Sequence, residues 1–253
     1  MYNIYIMSLL LNLSTSGLSN ITQTDNFVAN FNNLEFDRDK NYQIALLSYS
    51  LWYSWYNISA ELGNNKFYYN NGSTDRTITI TDGQYGVSDI NSFIKNAISA
   101  LGDNPDNIKI VGNFTTLKVD ITLTNSYTIT FGANSLYIIL GFNDGQVLNT
   151  NGVHSSPNQP NVSNSVDALN INTSFIDSNS NLLNDNHSFC IYQLVPTSGP
   201  GSNISERISY PTYLPLNNHG NIHNVFFSIT DQNNNRLNLH GEHVTLSFHI
   251  KEV

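Results

Sequence analysis

The seven histidines and the single cysteine, Cys190, are the natural places to look for chemistry in this chain. His219 and His223 stand four apart, a spacing that pairs two imidazoles on a helix, and His240, His243 and His249 follow. Gly220 and Asn221 inside the first pair read as loop, however. His243 and His249 share a strand face several residues apart, and no H-E-x-x-H sequence occurs. No metal site is expected, and the strand histidines are read as facing solvent. Cys190, set between Phe189 and Ile191, reads as a small hydrophobe in an apolar strand. There is no G-x-S-x-G nucleophile turn. Asp37 and Asp39 have the look of a glycosidase pair, but Arg38 and Lys40 beside them indicate a solvated turn. Gly199-Pro200-Gly201 lacks the helix and lysine of a phosphate loop. No catalytic residue and no cofactor site is assigned, so the expected role is not enzymatic.

Aromatic side chains are the clearest anomaly. Tyr49, Trp52, Tyr53, Trp55 and Tyr56 crowd into eight positions. Such rings stack on sugars or anchor protein interfaces, because flat faces desolvate at little entropic cost. The run covers both faces of a strand, so some of these rings should fill a core and others should lie at a subunit contact or meet a glycan.

The elements that would hold them are mainly strands. Leu117, Val119, Ile121 and Leu123 alternate with polar residues, and Tyr127, Ile129 and Phe131 repeat the pattern after Thr124-Asn125-Ser126, which predicts a half-buried hairpin. Val225, Phe227 and Ile229 alternate into Asp231–Asn235. The chain then returns through Leu237, Leu239, Val244, Leu246, Phe248 and Ile250, with a bulge or bend at Gly241. One core between two antiparallel sheets is expected to bury both sets. Further strands are predicted at Ile4–Leu11, Tyr42–Trp52, Lys66–Tyr69, Thr77–Thr81, Asp167–Ile176 and Phe189–Val195. Ile90, Phe93, Ile94, Ala97, Ile98 and Leu101 instead mark one helix face, with Ser88 as N-cap and Gly102 past the end. This helix should cover an open end or edge of the sheets. A shorter turn of helix is expected over Ser135–Leu140, stopped by Gly141. Asn143–Asn164 and Pro196–Asn221 read as long loops. The pattern predicts an all-β class, an antiparallel β-sandwich or jelly roll over residues 1–253 with one amphipathic helix.

Composition narrows the function classes. The 253 residues carry 10 Lys+Arg against 19 Asp+Glu, a net charge of −9, and only 11% of them are charged. That is too few cations to neutralise a phosphate backbone, so nucleic acid is not an expected partner. Asn fills about one position in six and supplies nine N-x-S/T triplets, about what chance gives for this composition, so they do not argue for glycosylation. A lone cysteine makes no internal disulfide. Ile4–Leu11 lacks the preceding positive charges and the cleavage site of a signal peptide, and no apolar run is long enough for a membrane helix. Synthesis in a reducing compartment without a signal peptide is expected.

Several segments carry a family resemblance. Tyr42-Gln43-Ile44-Ala45-Leu46-Leu47-Ser48-Tyr49-Ser50 is followed by Trp and Tyr residues. Then come Thr77–Thr81 and Asp82-Gly83-Gln84-Tyr85-Gly86-Val87-Ser88-Asp89-Ile90-Asn91, which opens the helix. At the other end Phe226-Phe227-Ser228-Ile229-Thr230-Asp231-Gln232 precedes a polar turn, Leu237-Asn238-Leu239, Gly241-Glu242 and an alternating last strand. Over about residues 40–100 and 220–253 the chain resembles the penton (minor capsid) proteins of polinton-type viruses, adintoviruses and virophages. The resemblance implies a viral structural protein of the virion: a single jelly roll over residues 1–253, with a surface loop insertion at about 143–166, forming homopentamers that close the five-fold vertices of an icosahedral capsid beside a double-jelly-roll major capsid protein. The alternative is a carbohydrate-binding β-sandwich, a lectin-like or attachment module, with Trp52, Trp55 or nearby tyrosines as sugar platforms.

Overall fold

Alternating apolar and polar residues build most of the elements in the computed structural model, which describes residues 8–17, 24–163, 166–180, 182–183, 186–217 and 220–253. Strands β1 (Ser8–Ser14), β2 (Asn26–Phe36) and β3 (Tyr42–Trp52) come first. β4 (Lys66–Asn70) and β5 (Asp75–Thr79) lead into helix α1 (Val87–Ala100). β6 (Ile108–Asn113), β7 (Lys118–Leu123) and β8 (Thr128–Thr130) precede the single turn α2 (Tyr137–Leu140), and β9 (Val147–Leu148) and β10 (Gly152–Ser155) follow it. The chain continues through β11 (Leu169–Thr173), β12 (Leu182–Leu183), β13 (Asn186–His187), β14 (Cys190–Leu194), β15 (Asn203–Arg207), β16 (Leu214–Pro215), β17 (Gly220–Asp231) and β18 (Thr245–Glu252). Two compact units result: residues 1–55 with 166–253, and residues 56–165.

In the first unit two antiparallel sheets, β1-β18-β3-β15 (with β16 also on β3) and β14-β11-β17-β2, enclose one core. Most successive strands change sheet, the strand order of a jelly roll. Phe227 is central to the core: its ring stacks on Phe27 at 5.2 Å and meets Phe175 edge-on at 6.0 Å. Val225, Phe227, Ile229, Leu246, Phe248 and Ile250 are all buried, as their alternation predicts. The run into Asp231–Asn235 and its return, which read as a second hairpin, do not pair with each other. The turn exists, with Asp231 Oδ1 accepting the amides of Asn233 and Asn235 at 2.8 Å, but β17 and β18 go to different sheets. Alternation reports which face is buried and is silent on which strand supplies the hydrogen bonds. At Gly241 the chain does bend, with His240 and Gly241 both at positive φ. The first strand is seen from Ser8; the earlier part of the predicted span lies outside the described residues.

The second unit has its own sheets, β10-β7-β6 and β5-β4-β8-β9, and its own core. Val119, Ile121 and Leu123 enter it from one sheet and Ile129 from the other, so the predicted hairpin around 124–126 is also a crossing between sheets. The expectation of one core holding both alternating sets is therefore corrected to two. Leu117 is a further correction: it sits at φ 56° in the turn before β7 and is 57% exposed. The predicted loop at 143–164 supplies β9 and β10 to these sheets, and the one at 196–221 supplies β15 and β16 to the first unit.

Helix α1 buries Ile90, Ile94 and Ile98 in the second core, while Leu101, expected on that face, is 42% exposed. Its N-cap is Gly86 rather than Ser88. Asp89 Oδ2 accepts the Gly86 amide at 2.9 Å, half of a capping box, and places negative charge at the positive end of the helix. Asn91 Oδ1 accepts the Ile110 amide at 2.8 Å, so the helix covers part of the β6 edge, as the sequence suggests. α2 ends where predicted, at Gly141. There φ is 78° and an added Cβ would run into the carbonyl of Asn158, so only glycine fits.

Candidate functional site

β3 decides which aromatics are available. Tyr42, Ile44 and Leu46 face inward, but the register against β18 shifts between Leu46 and Ser48, a bulge that reverses the inward parity. Beyond it Tyr49 and Leu51 are inside and Trp52 is outside. Tyr49 is buried, donates its hydroxyl to Glu206 at 2.9 Å, and has its pKa pushed up, first by burial and then by that carboxylate. Trp55 is buried in the first core and its ring stacks on half-buried Tyr53 at 3.9 Å. Tyr56 is half-buried and begins the second unit. Of the five predicted contact aromatics, Trp52 alone presents an open face, at 40% exposure.

The residues weighed for chemistry are also dispersed. His223, His240 and His243 are exposed, whereas His249 is half-buried, its ring between Tyr213 Oη at 2.7 Å and Ser8 Oγ at 2.6 Å. His249 thus departs from the solvent-facing reading, and His219 lies outside the described residues. Asp37 and Asp39 form the expected exposed turn, with the Asp39 amide on Asp37 Oδ1 at 3.0 Å. Cys190 is 3% exposed in β14, and burial pushes its thiol up to about 11, unsuited to a nucleophile. Among the described residues no three His, Cys, Asp or Glu side chains gather as a metal would require. No helix of those residues is long and apolar enough to cross a membrane.

A different surface emerges on the outer face of the β14-β11-β17-β2 sheet. Val28 and Phe226 are cross-strand partners there and are 47% and 42% exposed. Phe189, 46% exposed, joins Phe226 around a hollow of about 290 Å³ that Asn172, Ser228 and Thr230 also line. The Asn172 amide donates to Ser228 Oγ at 3.3 Å and to Thr230 Oγ1 at 3.1 Å. Apolar rings over a hydrogen-bonded polar base suit a protein contact. Sequence reading missed it because Phe189 and Phe226 look like ordinary strand residues until the sheet shows that they point outward.

The fold of this chain is thus that of an antiparallel jelly-roll β-sandwich. Among solved structures it is similar to the crystal structure of the mavirus penton protein, with a TM-score of 0.53 and 13% identity, over 98% of this chain and 100% of that one. No protein-family model and no curated protein matches the sequence.

Proposed function

We propose that this chain is a viral capsid penton, a structural protein of the virion with no catalytic role. The observation that carries the reading is its likeness in fold to the mavirus penton protein along the whole length of both chains. The sequence segments at about 40–100 and 220–253 support it independently. In this reading five copies form a ring that closes a five-fold vertex and meets a double-jelly-roll major capsid protein. A cyclic ring needs two different, complementary patches on each copy. The Val28, Phe226 and Phe189 surface is one candidate patch. Of the two tryptophans named for the lectin alternative, Trp55 is buried and Trp52 is 40% exposed. Native mass spectrometry of the purified chain across a concentration series tests the ring: five-membered species support it, and a strict monomer or dimer at the highest concentration counts against it. Phe226→Ser should weaken the ring by at least about tenfold in subunit affinity if that patch is used.

A further inference from the structure

β6 is an outer strand. β7 pairs with it on one side, and among the described residues no strand pairs with it on the other. Ile110 shows which backbone groups face outward, since its amide goes to Asn91 Oδ1 at 2.8 Å and not to Ile121, its register partner in β7. Outward-facing residues alternate in an antiparallel ladder, so Gly112, two residues on, also turns its N–H and C=O away from β7. Among the described residues nothing takes up either group. A Cβ on Gly112 would meet nothing within 4 Å, so the sheet face beside these groups is open at this residue.

This edge borders a groove of about 750 Å³ lying wholly within the second unit. The first turns of α1 form one wall and residues 110–114 the other. Its rim is apolar and uncovered: Phe114 is 92% exposed, Leu117 57%, Val111 42% and Val162 38%. Among the described residues Lys118 is the only charged side chain lining it. A groove between a helix and a free strand edge accommodates an extended peptide as an added strand, with backbone bonds supplying affinity and alternate side chains supplying specificity. A hydrophobic strand edge left open is otherwise a liability that proteins cover or charge.

We propose that the groove binds an extended segment of a partner protein by strand addition to β6, the segment being apolar at alternate positions and carrying a carboxylate that meets Lys118. The Gly112 amide and carbonyl pair with the segment's backbone. Phe114, Leu117 and Val162 receive its apolar side chains, and the charge of Lys118 complements its acid. The proposal does not rest on the capsid reading, because none of its observations is taken from the likeness to a penton.

The full-length chain is titrated with the capped hexapeptide Val-Thr-Val-Glu-Val-Thr while amide exchange is followed by NMR. Saturable binding is expected below about 1 mM, with exchange at Gly112 slowed at least about tenfold. Phe114→Ser and Lys118→Glu, both changes at surface positions, should each weaken binding at least about fivefold. A hexapeptide with Lys in place of Glu should recover affinity for the Lys118→Glu protein. Absence of saturable binding overturns the proposal. Binding that leaves Gly112 unprotected also overturns it, since a small apolar ligand held by side chains would behave that way. Indifference to both substitutions has the same consequence.

Discussion

Phe227 and Phe248 lie with ring centroids 5.7 Å apart in the first core, although the strands that carry them, β17 and β18, belong to different sheets. The five residues of the polar turn and the bend at Gly241 carry the chain from one sheet to the other. Two alternating runs that look like neighbours in sequence therefore become partners in packing rather than in hydrogen bonding.

Truncating Phe227 to Ala should cost about 3–5 kcal/mol, because the ring is fully buried and touches Phe27, Phe175 and Phe248. Urea denaturation of the variant measures it. A loss under about 1 kcal/mol would mean that the core does not close around this ring.

At the start of α1 the two candidate caps separate cleanly. Asp89→Ala removes the acceptor for the Gly86 amide and the charge at the helix start, and should cost about 0.5–2 kcal/mol. Ser88→Ala should stay within about 0.5 kcal/mol, since Ser88 is exposed and makes no cap bond. Thermal melts of the two variants in parallel decide the matter, and the reverse order would restore Ser88 as the cap.

Much of this was readable from sequence where one physical rule applies without interruption. Tyr42–Trp52 appears as predicted because no Gly, Pro, Asn or Asp interrupts it, and α1 because its apolar residues keep the 3.6-residue period. β2 was missed for a specific reason. Phe27 and Ala29 face inward at odd positions and Phe36 at an even one, with a register shift in the pairing with β17, and the intervening asparagines imitate a turn. The bulge in β3 likewise hid which of Tyr49 and Trp52 would be exposed. The groove beside β6 was not legible at all, since whether a strand is an edge depends on pairings distant in sequence.

Asp103 should titrate below the ordinary aspartate value. Hydrogen bonds from Asn71 and Tyr69 favour its charged form, and Arg76 adds to the effect at 3.2 Å. The sign follows from a lowered folded-state pKa: the stabilisation is present above about pH 4 and is lost as pH falls through the folded value. Carboxyl NMR titration checks this, and Tyr69→Phe should move the midpoint upward. A midpoint at or above about 3.9 in the parent chain would contradict the geometry.

Cys190 should resist Ellman's reagent at about pH 8 in the folded chain and react fully in urea, because burial raises its thiol to about 11. Rapid reaction of the folded protein would show that β14 opens readily.

The central claim is the proposal that this chain is a penton, and the most direct measurement is cryo-electron microscopy of the capsids that, on this proposal, contain it. The account predicts density for this jelly roll at the five-fold vertices, five copies to each, in contact with the major capsid protein. Density for it on the hexameric faces or in a fibre, or particles that lack it altogether, would contradict the account.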